Sequence, residues 1–191
     1  MILDNLITDR TQEDVDLVRL LAEAGDANMG DYRNLYRAGN LKGSYNFRDL
    51  NRVEEAVEYV AGELVQADTD LHDYATSIGV AWDSYYNLPY DIQTYADIVV
   101  KKDWVYADIP SHTQMSRYLN NLYLVRQALG VSSPLPISMD NLTFTGANNI
   151  EQMLLDVHMA LQIEVDIKKS YIDSTANAYR CGEVYSGEVD A

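Results

Sequence analysis

Three segments of the chain share one apolar stripe, and that repeat constrains the fold more than any other feature. Leu50-Asn51-Arg52-Val53 aligns with Met115-Ser116-Arg117-Tyr118 and with Ala147-Asn148-Asn149-Ile150. Downstream, apolar residues recur at equivalent positions: Val57, Leu122 and Leu154, then Val60, Val125 and Val157, then Leu64, Leu129 and Leu161. The spacing is that of one face of an α-helix. Upstream, Asn46, Ser111 and Thr143 sit at a common offset, and each is a residue type that caps helix starts. Three related amphipathic helices with their stripes packed together are therefore expected. Full burial of a Leu or Val contributes roughly 1.5–3 kcal/mol, so Val57, Val60, Leu64, Leu122, Val125, Leu154, Val157 and Leu161 should share one core.

The remaining segments read as follows. Thr11-Gln12-Glu13-Asp14 resembles a capping box, with Val15, Val18, Leu21 and Ala22 behind it at helical spacing and Gly25 as a stop. Tyr32, Leu35 and Tyr36 indicate a short helical turn. After the Leu50–Leu64 helix, Leu71, Tyr74, Ile78, Trp82 and Tyr85 fall at helical spacing as far as Pro89. Residues 95–101 read as extended, Gly130 to Pro136 as a rigid loop, and the last helix should run from near Thr145 to about Ala178. Gly182 and Gly187 then break the helix, leaving residues 179–189 as an extended arm. The expected fold is mainly α: a bundle of about four to five amphipathic helices with short extended segments near 95–101 and 179–189. Residues 1–178 form a single helical domain, with possible sub-units 1–67, 68–130 and 131–178, and residues 179–191 form the arm.

Composition narrows the function. Thirty acidic against fourteen basic residues give a net charge of −16, which disfavours a protein that grips nucleic-acid phosphate or anionic lipid. One cysteine excludes an internal disulfide and a multi-cysteine zinc site. No apolar run reaches the roughly 18 residues of a membrane span, and Met1-Ile2-Leu3-Asp4 is not a basic signal-peptide start. A soluble, acidic protein that folds in a reducing cytoplasm is expected. No catalytic, cofactor-binding or metal-binding residue is nominated, and no cofactor is expected. His72, His112 and His158 occupy different segments without metal-ligand spacing, and Cys181 has no nearby base. Fifteen Tyr against two Phe and two Trp point to surfaces that are apolar yet hydrogen-bonding, as protein–protein contacts are. Tyr179, Val184, Tyr185 and Val189 are the candidate interface, because an eleven-residue arm cannot bury them against itself.

Several stretches resemble one family. They are Leu3-Asp4-Asn5-Leu6-Ile7-Thr8-Asp9-Arg10-Thr11, Leu41-Lys42-Gly43-Ser44-Tyr45-Asn46 with Asp49-Leu50-Asn51-Arg52-Val53, Lys102-Asp103-Trp104 with Asp108-Ile109-Pro110, Gln114-Met115-Ser116-Arg117-Tyr118-Leu119, Leu142-Thr143-Phe144 with Ala147-Asn148-Asn149-Ile150-Glu151, and Tyr185-Ser186-Gly187-Glu188-Val189. Together they are similar to small proteins encoded near the tail genes of Firmicutes bacteriophages and prophages. The resemblance implies a non-enzymatic virion component of the tail, baseplate or fibre region, contacting other virion proteins and forming homo-oligomers. The alternative is an acidic DNA mimic that inhibits a host nucleic-acid-binding protein. A mimic needs carboxylates arrayed along one face, and Arg10, Arg48, Arg52, Arg117 and Arg126 interrupt the acids here.

Overall fold

The computed structural model describes residues 1–23, 34–35, 37–38 and 41–186, with side chains of the last helix as far as Tyr179. Gly25, Tyr32, Tyr36 and Val189 lie outside the described residues, as do the side chains of Cys181, Val184 and Tyr185. The fold is mainly helical, at 67% helix with no strand among the described residues. Five α-helices are described: α1 (Gln12–Glu23), α2 (Phe47–Ser77), α3 (Ile92–Ala96), α4 (His112–Ala128) and α5 (Phe144–Ser186).

The repeated helix starts form as the sequence predicts. Asn46 and Ser111 each accept from a first-turn backbone N–H, and each has its own N–H capped in return, by Asp49 and Gln114. Thr143 Oγ1 accepts from the Gly146 N–H at 3.0 Å. Thr11 and Asp14 cap α1 reciprocally, at 2.8 and 3.3 Å. All eight expected stripe residues lie in one buried cluster with Leu71, Tyr118, Ile150 and Met153.

The three long helices start at the same end of the molecule. Arg52 of α2 meets Glu151 of α5, and Tyr74 of α2 meets Asp173 of α5, both across a separation of 99 residues. A constant separation means that α2 and α5 run parallel. Arg117 of α4 pairs with Glu54, and Tyr118 with Tyr45, which places the start of α4 beside the start of α2.

Parallel neighbours need connections that run back. After α2, Tyr90 bonds the Leu64 carbonyl, Lys102 bonds Glu58, and Trp104 pairs with Asn51, so this segment descends α2 in reverse. After α4, Arg126 bonds the Ser133 carbonyl and Tyr123 the Pro136 carbonyl, and that segment reverses along α4. The repeat explains a further detail. Asn51 and Asn148, equivalent in the alignment, each clasp one backbone residue by donating to its carbonyl and accepting from its N–H. Asn51 holds Trp104 and Asn148 holds Arg10.

The structure corrects three expectations. The helical pattern does not reach Pro89: α2 stops at Ser77, where Gly79 takes φ +76° and the N–H of Val80 returns to the Ala75 carbonyl at 2.9 Å. That left-handed residue costs Gly little and terminates the helix, so Trp82 and Tyr85 lie beyond it. The helix passes through residues 67 and 68 without a break. Of the extended run expected at 95–101, Tyr95 and Ala96 close α3, because Asp91 caps a helical turn there. Finally, residues 179–186 are not an extended arm but the end of α5. Gly182 costs about 1 kcal/mol in a helix interior, yet extending a formed helix carries no nucleation cost, so one glycine does not stop it.

Gly43 marks where α1 meets the body. A Cβ there would lie 2.1 Å from the Asp14 carbonyl oxygen and 2.2 Å from its carbon, both backbone atoms. Gly43→Ala is therefore expected to push α1 off its seat, at about 1–3 kcal/mol. Hydrogen exchange should then accelerate in residues 12–23 while α2 and α4 stay protected. Unchanged protection of α1 would show that the contact is dispensable.

Candidate assembly surface on the last helix

A buried ionic cluster fixes where α5 sits. Arg10, Asp49 and Glu151 are buried, and the Arg10 guanidinium donates to Asp49 at 2.8 Å and Glu151 at 2.6 Å. Arg52 donates to both oxygens of Glu151 and to Asp49. The Ile7 N–H reaches Glu151 at 2.5 Å, and Arg10 Nη1 reaches the Ile7 carbonyl at 2.6 Å. Two cations meet two carboxylates, so the cluster is neutral and its hydrogen bonds are satisfied, which is what burial of charge requires. Beside it, the Tyr45 and Tyr118 hydroxyls bond each other at 2.5 Å. Burial holds both phenols protonated, well above the ordinary tyrosine range. Every group here is committed to a partner within the protein, so the cluster serves as a clamp.

Anchored at this end, α5 runs on for 43 residues, about 64 Å. Its inward face, Leu154, Val157, Leu161, Ile172 and Ala176, belongs to the core. The opposite face also carries a line of large apolar residues. Met159 is 54% exposed, Ile163 61%, Ile167 42% and Tyr171 55%. Each is one helical turn from the next, so they form a continuous lane. A helix with solvent on its outer side normally turns charge to the water. On α5 the exposed Gln162, Asp166, Asp173 and Asn177 do so, and the lane is an apolar strip running among them.

The lane leads into a groove of about 960 Å3 between the end of α5 and residues 83–86, lined by Tyr85, Tyr86, Tyr171 and Tyr179. Lys168 bonds the Tyr85 carbonyl at 3.0 Å and Tyr86 bonds Thr175 at 2.8 Å, which pins the short turn at Ser84–Tyr86 against the helix. Tyr85 and Tyr179 are left standing out, at 81% and 64% exposure.

Of the four residues nominated from sequence, Tyr179 lies in this groove, while Val184 and Tyr185 are placed in α5 by their backbone alone. Met159, Ile163, Ile167 and Tyr171 went unnoticed in the sequence. Their signal was a second i, i+4 stripe opposite the Leu154–Leu161 face. Part of the tyrosine surplus is internal: Tyr74, Tyr86, Tyr90, Tyr95 and Tyr123 each spend their hydroxyl tying one element to another. The histidines have separate surroundings, with His72 stacked on Trp82 and His158 3.9 Å from Glu63. Among the described residues, no helix is long and apolar enough to cross a membrane. No protein family, no curated protein and no solved structure matches the chain.

Proposed function

We propose that the chain is a non-enzymatic assembly component of a bacteriophage virion, belonging to the tail, baseplate or fibre region. It acts through protein–protein contact along the outward face of α5. The observation that carries the reading is that lane of Met159, Ile163, Ile167 and Tyr171, apolar and exposed on a helix whose other face is already core. An acidic chain that leaves such a lane open has a use for it, since exposed contiguous apolar surface marks interaction sites. The phage setting comes from the resemblance to proteins encoded near tail genes. Mass spectrometry of purified virions, from a phage that encodes the chain, is expected to find it at a fixed ratio to other structural proteins. Particles that lack it while infected cells contain it would defeat the proposal.

A further inference from the structure

We infer that the groove between the end of α5 and the Ser84–Tyr86 turn is a guanidinium site, which takes an arginine side chain of a neighbouring protein. The inference rests on reading α5 as the assembly surface, and it gives the partner a chemistry.

The aromatic faces come first. Tyr85, Tyr171 and Tyr179 line the groove and are 81%, 55% and 64% exposed. Among the described residues, their side chains make no hydrogen bond, ring contact or cation contact. Three other tyrosines are served from within the chain. Arg10 lies 5.5 Å from the centre of the Tyr45 ring, Lys169 5.6 Å from Tyr74 and Arg126 5.0 Å from Tyr123. The electron-rich face of a tyrosine attracts a cation, and the groove presents such faces to a cation from outside.

Charge is the second observation. Asp83 lines the same groove. Its Oδ1 accepts from the Tyr85 N–H at 2.9 Å, and no cation of the described residues pairs with the carboxylate. Lys168, also in the lining, is already engaged, 3.0 Å from the Tyr85 carbonyl and 3.5 Å from Glu164. Along α5 from Glu164 to Tyr179, Glu164, Asp166 and Asp173 outnumber Lys168 and Lys169, and Asp83 adds to the acids. The groove thus lies in a negative neighbourhood on a chain of net charge −16, which repels phosphate and carboxylate ligands and draws a cation.

The combination selects which cation. A guanidinium is flat and weakly hydrated, so it stacks on an aromatic ring while donating from its edge to a carboxylate, whereas an ammonium is a strongly hydrated point charge. The protein makes this double contact internally: Arg10 lies over Tyr45 and donates to Asp49 at 2.8 Å. The groove offers an incoming arginine the same two partners. A neutral ligand, such as a saccharide or a Pro-rich segment, uses the rings and not the charge, so removing the charge separates the two.

Titration of a blocked Gly-Arg-Gly peptide into the full chain, followed by NMR at about 0.15 M salt, should move the amide signals of residues 83–86 and 168–179. The same peptide with neutral citrulline in place of arginine should bind at least about tenfold more weakly. Asp83→Asn keeps an oxygen for the Tyr85 N–H and should weaken binding about fivefold. Glu55→Gln removes an equal charge from an exposed site near the start of α2 and should leave binding unchanged. Tyr179→Leu should weaken binding about fivefold, and Tyr179→Phe, which keeps the ring, should bind like wild type. No signal change at the groove, equal binding of the citrulline peptide, equal effects of Asp83→Asn and Glu55→Gln, or equal loss in the Leu and Phe variants would each overturn the inference. Any of these results for a chain that is found in virions would remove the guanidinium site and leave the assembly role standing.

Discussion

Glu151→Ala is expected to lower the unfolding free energy by about 3–5 kcal/mol, the usual cost of removing one partner from a buried ionic cluster. Glu151 is fully buried and accepts from Arg10, Arg52 and the Ile7 N–H. Its loss leaves two guanidinium groups facing Asp49 alone, so one positive charge is buried without compensation. The N-terminal segment also loses an anchor on α5. Urea unfolding followed by circular dichroism measures the effect, with Glu151→Gln as the variant that keeps the shape and drops the charge. A loss below about 1 kcal/mol for the alanine variant would place the cluster among the weak ion pairs of protein surfaces.

Arg117→Met is expected to cost about 3 kcal/mol at neutral pH, and less as the pH falls. Glu54 is buried in α2 and takes two hydrogen bonds from the Arg117 guanidinium, at 3.1 and 2.5 Å. Burial pushes the Glu54 carboxyl above the ordinary range, and Arg117 pulls the other way. Without the arginine, burial is opposed by the Lys101 backbone N–H and the Lys101 charge, the smaller of the lowering influences, and the folded-state pKa rises further. An acid whose pKa is higher folded than unfolded binds its proton more tightly when folded. Its penalty is therefore complete above the folded pKa and is relieved as the pH drops through it, toward the unfolded value of about 4.3. The gap between Arg117→Met and wild type should accordingly narrow with acidification. A gap independent of pH would mean that the arginine acts by packing alone.

These two variants probe one pattern. Arg52 and Arg117 are equivalent in the repeat, as are Glu54 and Glu151. Arg117 of α4 serves Glu54 of α2, and Arg52 of α2 serves Glu151 of α5. The third position of each set is Asn149 and Leu119, so the relation stops there. Repetition of a helix start has thus carried its ion pairs with it, and the pairs hold the helices with their starts together.

The sequence by itself determined the helices. Asn46, Ser111 and Thr143 could be read as caps because a cap is a contact within one helical turn. The stripes through Val57, Leu122 and Leu154 could be read because helical periodicity is written along the chain, and an apolar face on a soluble helix has to be buried. Tertiary structure decided what those rules leave open. Nothing local tells whether three helices pack parallel; that follows from pairings such as Tyr74 with Asp173, 99 residues apart. Nor does periodicity show that Arg10 is buried between Asp49 and Glu151, since an isolated Arg is ordinarily solvated and only the fold brings both carboxylates to it. The outward lane of α5 is the sharpest case. Met159, Ile163 and Ile167 look like core residues in sequence, and they stand exposed because the core took the other face of the same helix. Periodicity can count the apolar faces of a helix, but the three-dimensional packing alone decides which of them is left exposed.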